Sequence, residues 1–164
     1  MTDCRAFCHR QDGAAASEMA LMLPLLLAMM FVGFEAGHYF YTEQKVVQAV
    51  REGARYAGRR PFADFPCGGA ASATAISEIK NVTRTGVLTG GTPRISNWDA
   101  NLINVSYTCN AGYATSGIFK GNSGGAPIVT VSAAAGYPSL FESLGLIDSS
   151  TQVFASAQAV VNGI

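Results

Sequence analysis

Between Met19 and Phe34 the chain runs through sixteen residues without a charged side chain, and no other feature constrains its fold as strongly. With Ala14–Ser17 before it and Ala36–Tyr41 after it, the apolar stretch reaches the roughly 20 residues that a membrane-crossing helix requires. The pattern continues past Tyr41. Val47, Val50, Ala54 and Ala57 recur at helical spacing, with Lys45, Gln48, Arg51, Arg55 and Arg59 on other faces, so an amphipathic helix runs on into water. Continuous to Arg59, that helix is about 70 Å long at 1.5 Å per residue, and Pro61 ends it.

Residues 61–164 suffice for one small domain and not for two. The 11 basic and 11 acidic side chains cancel, and a neutral chain lacks the basic footprint of a nucleic-acid binder. Four cysteines divide into Cys4 and Cys8 near the start and Cys67 and Cys109 in the C-terminal domain. The second pair reads as one disulfide in an oxidising compartment, with two free buried thiols as the alternative. No metal or other cofactor is expected, because no histidine follows His38 and zinc sites draw on four Cys or His ligands.

The first thirteen residues, MTDCRAFCHRQDG, form a polar leader. Phe34-Glu35-Ala36 offers no small-residue cleavage site behind the apolar run, so a secretory signal peptide is not expected. The chain presents Gly13, then Ala14-Ala15-Ala16-Ser17, then Glu18, then the apolar run. This order resembles the processing site of type IV prepilins, cut just after the glycine by a dedicated peptidase on the cytoplasmic side. Leu23-Pro24-Leu25, Glu35 and Ala49-Val50-Arg51-Glu52-Gly53-Ala54-Arg55 extend the likeness. Together the segment is similar to the TadE-like minor pseudopilins of tight-adherence (Flp-type, type IVb) pilus systems. The resemblance implies cleavage between Gly13 and Ala14, with 1–13 as leader, 14–60 as transmembrane and extended helix, and 61–164 as a periplasmic domain. It also implies a prepilin peptidase, other pseudopilins, the Flp pilin, an inner-membrane assembly platform and membrane lipid as partners.

Two carboxylates bracket the apolar run. Glu18 and Glu35 are 17 residues apart, about 26 Å along a helix, so each can sit near one interface of a hydrocarbon layer roughly 30 Å thick and reach water. The other reading is functional, since intramembrane carboxylates mark sites: the resemblance implies that Glu18 neutralises the new amine of Ala14 on a neighbouring subunit. Pro24 removes a helix hydrogen bond, either as a harmless kink or for assembly. Gly33 and Gly37 have the G-x-x-x-G spacing that lets membrane helices approach, although glycine is common there anyway. His38-Tyr39-Phe40-Tyr41 reads as an interfacial aromatic belt.

Orientation sets two arguments against each other. Arg5 and Arg10 precede the helix, while Lys45, Arg51, Arg55, Arg59 and Arg60 follow it, which by the positive-inside rule puts the C-terminal part in the cytoplasm. Most of the later charges lie well past the membrane along the helix, the leader site requires a cytoplasmic N-terminus, and Cys67 and Cys109 favour an oxidising side. The expected topology is therefore a single-pass protein of the bacterial inner membrane, cytoplasmic at its N-terminus, periplasmic at its C-terminus and open to incorporation into a pilus.

Downstream, a helix is expected from Ser72 to about Leu88, ended by Gly86 and the Thr89–Pro93 cluster. Three alternating runs read as strands: Asn101–Thr108, Pro127–Ala135 and Thr151–Val161. Ser139–Leu146 stays open between a helical turn and an apolar loop. The fold class is α+β, a long helix covering a small antiparallel sheet. Gly121-Asn122-Ser123-Gly124-Gly125 looks like the nucleophile motif of chymotrypsin-like proteases, but that chemistry needs a histidine base close to the serine. The only histidines are His9 and His38, so the motif reads as a Gly-rich turn. Asp64, Glu78, Asp99, Glu142 and Asp148 are scattered along the domain, and no enzyme is expected. The competing reading is an uncleaved, single-pass, membrane-anchored periplasmic binding domain.

Overall fold

The computed structural model describes residues 12–115, 117–122, 124–141 and 150–163. Cys4, Cys8 and the rest of 1–11, Ser123, Glu142, Asp148 and most of the 139–146 segment lie outside the described residues. Helix α1 spans Asp12–Gly58, α2 spans Ala73–Thr85, and strands β1, β2 and β3 span Ile103–Asn110, Ala126–Gly136 and Gln152–Val160. The fold is α+β, as the sequence predicts. The chain divides into two compact units, one up to His38 and one from Tyr39 onward.

In the first unit the apolar residues stay uncovered. Leu21 is 80% exposed and Met19, Leu25, Met29 and Phe34 lie at 59–66%, the reverse of a soluble core helix. This is the one helix among the described residues long and apolar enough to cross a membrane, and it is a candidate membrane anchor.

The second unit is built on a sheet of order β1-β2-β3, antiparallel throughout. Because side chains alternate across a strand, β2 turns Val129, Val131, Ala133 and Ala135 into the core. Ile103 of β1 and Val153 of β3 join them. From α1 the core takes Val46, Ala49, Val50, Ala54 and Ala57; the stripe read from the sequence holds at Val50, Ala54 and Ala57, whereas Val47 is only half-buried and its neighbour Val46 takes the core position. The cover of that stripe by its own domain is why a helix carrying Lys45, Arg51 and Arg55 folds here as a one-sided element.

Element ends follow local chemistry. α1 stops at Gly58 rather than Arg59, because Pro61 disfavours helical geometry at Arg60. The last turn tightens through Arg59 N–H to Tyr56 O and Arg60 N–H to Ala57 O, both 3.1 Å. α2 starts where the Ser72 hydroxyl accepts from Ala75 N–H and ends at Thr85, three residues before the expected Leu88, where Gly86 caps it with a left-handed φ of +84°. β1 begins two residues late, since Asp99 caps a 3-10 turn at Ala100–Leu102 by accepting from Asn101 N–H. Where β1 is missing beside β2, the buried Trp98 donates its indole N–H to Ala134 O at 2.7 Å. The strand's absent donor is thereby replaced.

Two of the contacts that hold α1 to the rest of its unit lie against α2 and at the helix end. A Cβ on Gly53 would stand 2.0 Å from Thr83 Oγ1, so α2 crosses α1 at a distance only glycine allows. Beyond the crossing, Arg60 donates to Asp64 Oδ2 at 2.7 Å, to Glu78 Oε2 at 2.7 Å and to the Tyr56 hydroxyl at 2.8 Å. Tyr56 in turn donates to Glu78 at 2.7 Å. Asp64 and Glu78, scattered in the sequence, thus converge on one guanidinium and fix the end of α1 to α2. Burial together with the bond to Glu78 raises the Tyr56 hydroxyl above its ordinary pKa.

Gly53→Ala is expected to cost about 1–3 kcal/mol by overpacking, and Thr83→Ala to restore part of that loss, as chemical denaturation of the two variants would read. The folded chain holds the Tyr56 proton where the unfolded chain, titrating near 10.0, has lost it. This contribution is complete below that pH and disappears as pH rises through the folded value. Stability measured from pH 8 to 11.5 should therefore fall more steeply in the parent than in Tyr56→Phe; equal slopes would refute the assignment.

Candidate functional site

α1 carries the assembly residues read from the sequence, and the structure fixes their setting. Gly13 begins the exposed stretch, with open space where a Cβ would go. The side chain of Ala14 is outside what the structure describes, but its backbone is helical, and Glu18 follows one turn later with an exposed side chain. Pro24 lies inside α1, which continues through it. Gly33 and Gly37 are one turn apart on one face, and nothing stands within 4 Å of a Cβ at either, so the backbone there is bare.

Glu18 and Glu35 differ sharply. Glu18 is exposed, whereas Glu35 is only 4% exposed and its carboxylate is not free. Burial sets in along this side of α1 well before the amphipathic stripe, since Thr42, seven residues on, is 3% exposed. The aromatic group divides as well. Phe40 and Tyr41 are about 60% exposed, with Lys45 Nζ 4.4 Å over the Tyr41 ring. Tyr39 instead turns inward and meets Tyr137 edge-on at 5.2 Å. Of the expected belt, Phe40 and Tyr41 face outward, whereas His38 and Tyr39 are half-buried.

Cys67 and Cys109 are joined by a disulfide with Cα atoms 5.8 Å apart. It ties the segment after α1 to the end of β1, and the Tyr107 hydroxyl reinforces it, 2.8 Å from Pro66 O and 2.6 Å from Gly69 O. The protease-like glycines have a structural purpose at this bond. A Cβ on Gly124 would fall 2.0 Å from Cys67 Cβ, and one on Gly125, at φ +79°, 2.0 Å from Asn110 O. Both positions thus require glycine for close approach and backbone sign, which the sequence reading of a Gly-rich turn had not explained. Among the described residues no cluster of three or more His, Cys, Asp or Glu side chains stands together.

An exposed apolar N-terminal helix carrying a disulfide-bonded α+β domain defines a candidate single-helix membrane-anchored protein. Residues 13–55 match the family described as TadE-like protein. The match starts at Gly13 and ends at Arg55, the span on which the sequence resemblance rests, and it supports a component associated with tight-adherence pili. No curated protein matches the chain, and no solved structure does.

The disulfide closes a separation of 42 residues, for which loop-closure entropy gives about 4 kcal/mol. Replacing both cysteines by alanine is expected to lower stability by up to that amount in denaturant titrations. Gly124→Ala should lower it too, because its methyl group meets the bridge itself.

Proposed function

We propose that this chain is a minor pseudopilin, a non-enzymatic subunit that helps assemble or prime an Flp-type adhesion pilus. The observation that carries this reading is the family match opening at Gly13, at the head of a helix whose apolar residues stand uncovered. On this reading the precursor is cut between Gly13 and Ala14 by a prepilin peptidase. The new Ala14 amine and Glu18, one turn apart, then supply a charge pair between neighbouring subunits, which gains strength at a low-dielectric boundary. Gly33 and Gly37 offer bare backbone for another subunit's helix, and Pro24 shapes the same segment.

The disulfide supports a periplasmic domain, since such bonds persist in oxidising compartments. The excess of Lys and Arg after the helix points the other way. Arg59 and Arg60 lie beyond the end of α1 at Gly58, well past the apolar run, where Lys and Arg weigh less on orientation. Partners on this reading are other pseudopilins, the Flp pilin and the inner-membrane assembly platform.

The deciding experiment is the intact mass of the protein purified from membranes, with and without reductant. The expected species begins at Ala14 and gains two hydrogens on reduction of Cys67–Cys109. A chain that keeps its leader in the presence of the peptidase would replace this reading with an uncleaved membrane-anchored binding domain. Gly13→Ser should leave the precursor intact. Glu18→Ala should be cleaved normally yet lower pilus yield, and normal piliation in that variant would remove the charge-pair role.

A further inference from the structure

In the second unit, one side of α1 and the turn that follows it carry a single sign of charge. Arg51 and Arg55 are exposed and one helical turn apart, about 6 Å along the axis. Arg59, exposed just past the helix end, shares a groove with Arg55. None of the three side chains has an ion-pair partner among the described residues. Like charges at this spacing repel, and the nearby carboxylates do not relieve them: Glu52 is paired with Arg94, and Asp64 and Glu78 with Arg60.

Helix faces that meet only water commonly alternate the sign of their charges; this one leaves three guanidinium groups in a row. The groove, about 310 Å³, is lined by Glu52, Arg55, Tyr56 and Arg59. The Tyr56 hydroxyl donates to Glu78 and accepts from Arg60, and Arg94 offsets the charge of Glu52. What stays open to a ligand is the pair of guanidinium groups, planar forks of donors that match a carboxylate. Arg51 extends the row by one turn.

We propose that this row docks an acidic helix of a different protein. Carboxylates at every fourth position of such a helix repeat at the same interval as the guanidinium groups, so charge-assisted pairs form along one seam. Lipid phosphate is the wrong source. Read as an interfacial ring, Tyr41 is followed by Arg55 and Arg59 after 14 and 18 residues, about 21 and 27 Å at 1.5 Å each. Headgroups add only about 5–8 Å to each side of the hydrocarbon. A second copy of this chain also fits poorly. In this unit Glu52, Asp64 and Glu78 are paired, Asp99 accepts from Asn101, and Glu43 is left alone. Among the described residues of the unit, no two free carboxylates therefore stand a turn apart. The inference needs neither leader cleavage nor the pilus reading.

Phenylglyoxal labelling of arginine in the full chain, read residue by residue by mass spectrometry, tests it. The probe is a synthetic helix with glutamate at every fourth position, added to the protein in phosphatidylcholine nanodiscs, with its glutamine counterpart as control. The glutamate helix is expected to slow labelling of Arg51, Arg55 and Arg59 at least about fivefold. Salt at about 1 M, where the screening length is about 3 Å, should remove the effect. In native membranes the same residues should label more slowly than in nanodiscs of lipid extracted from those membranes, and Arg55→Gln with Arg59→Gln should release Arg51. Labelling that the glutamate helix leaves unchanged, or that the glutamine helix slows equally, overturns the proposal. So does equal labelling in native membranes and extracted lipid. Slowing by extracted lipid relative to phosphatidylcholine would assign the row to headgroups, and slowing that grows with protein concentration would assign it to a second copy; either result overturns it as well.

Discussion

Between Val46 and Ala57 the buried side chains of α1 are no larger than valine, and the domain depends on that smallness. Val46, Ala49, Val50, Gly53, Ala54 and Ala57 give the helix a low surface, against which Thr83 of α2 approaches so closely that even a methyl group at Gly53 would collide with it. Ala133 and Ala135 of β2 face the same core. Short side chains bring backbones near and lose little rotamer freedom on burial. They also leave little tolerance, because a packed interior transmits each added methylene. The larger buried groups, Trp98, Phe65 and Ile79, stand outside α1 and fill the remaining volume.

α1 obeys two rules in succession. Around Met19–Phe34 apolar side chains point in every direction, and beyond Tyr39 they occupy one stripe. The sequence made both legible because hydrophobic periodicity is set by the solvent each face meets. It also located all three strands within about two residues, since alternation is strong wherever one face of a sheet is buried. It misplaced the start of β1, because the capping carboxylate of Asp99 substitutes a 3-10 turn for extended chain, a choice that hydropathy does not register. It overran α2 by three residues although Gly86, the residue that stops it, was in view.

What stayed hidden was contact between distant positions. Asp64 and Glu78 are separated by a turn and half of α2, and only the fold brings both to Arg60. Gly124 and Gly125 resembled part of a catalytic motif, yet their reason is steric: one abuts the disulfide and the other the chain at Asn110. Gly53 was visible only as a letter in a motif, without a role. The two carboxylates of the apolar segment looked alike by position, and burial alone separates Glu35 from Glu18. Each of these distinctions depends on three-dimensional neighbours, which a periodic reading of one chain does not contain.

The covalent bond between Cys67 and Cys109 has a mechanical consequence. It encloses α2 and β1 and leaves α1, β2 and β3 outside the closed ring. A domain pulled between its anchor and its C-terminal strand can lengthen only by the chain outside that ring. The 42 residues within it, which would extend to roughly 140 Å at about 3.3 Å each, stay out of the load path while the bridge is intact. Under tension the bridge sets an upper limit on how far this domain can be drawn out.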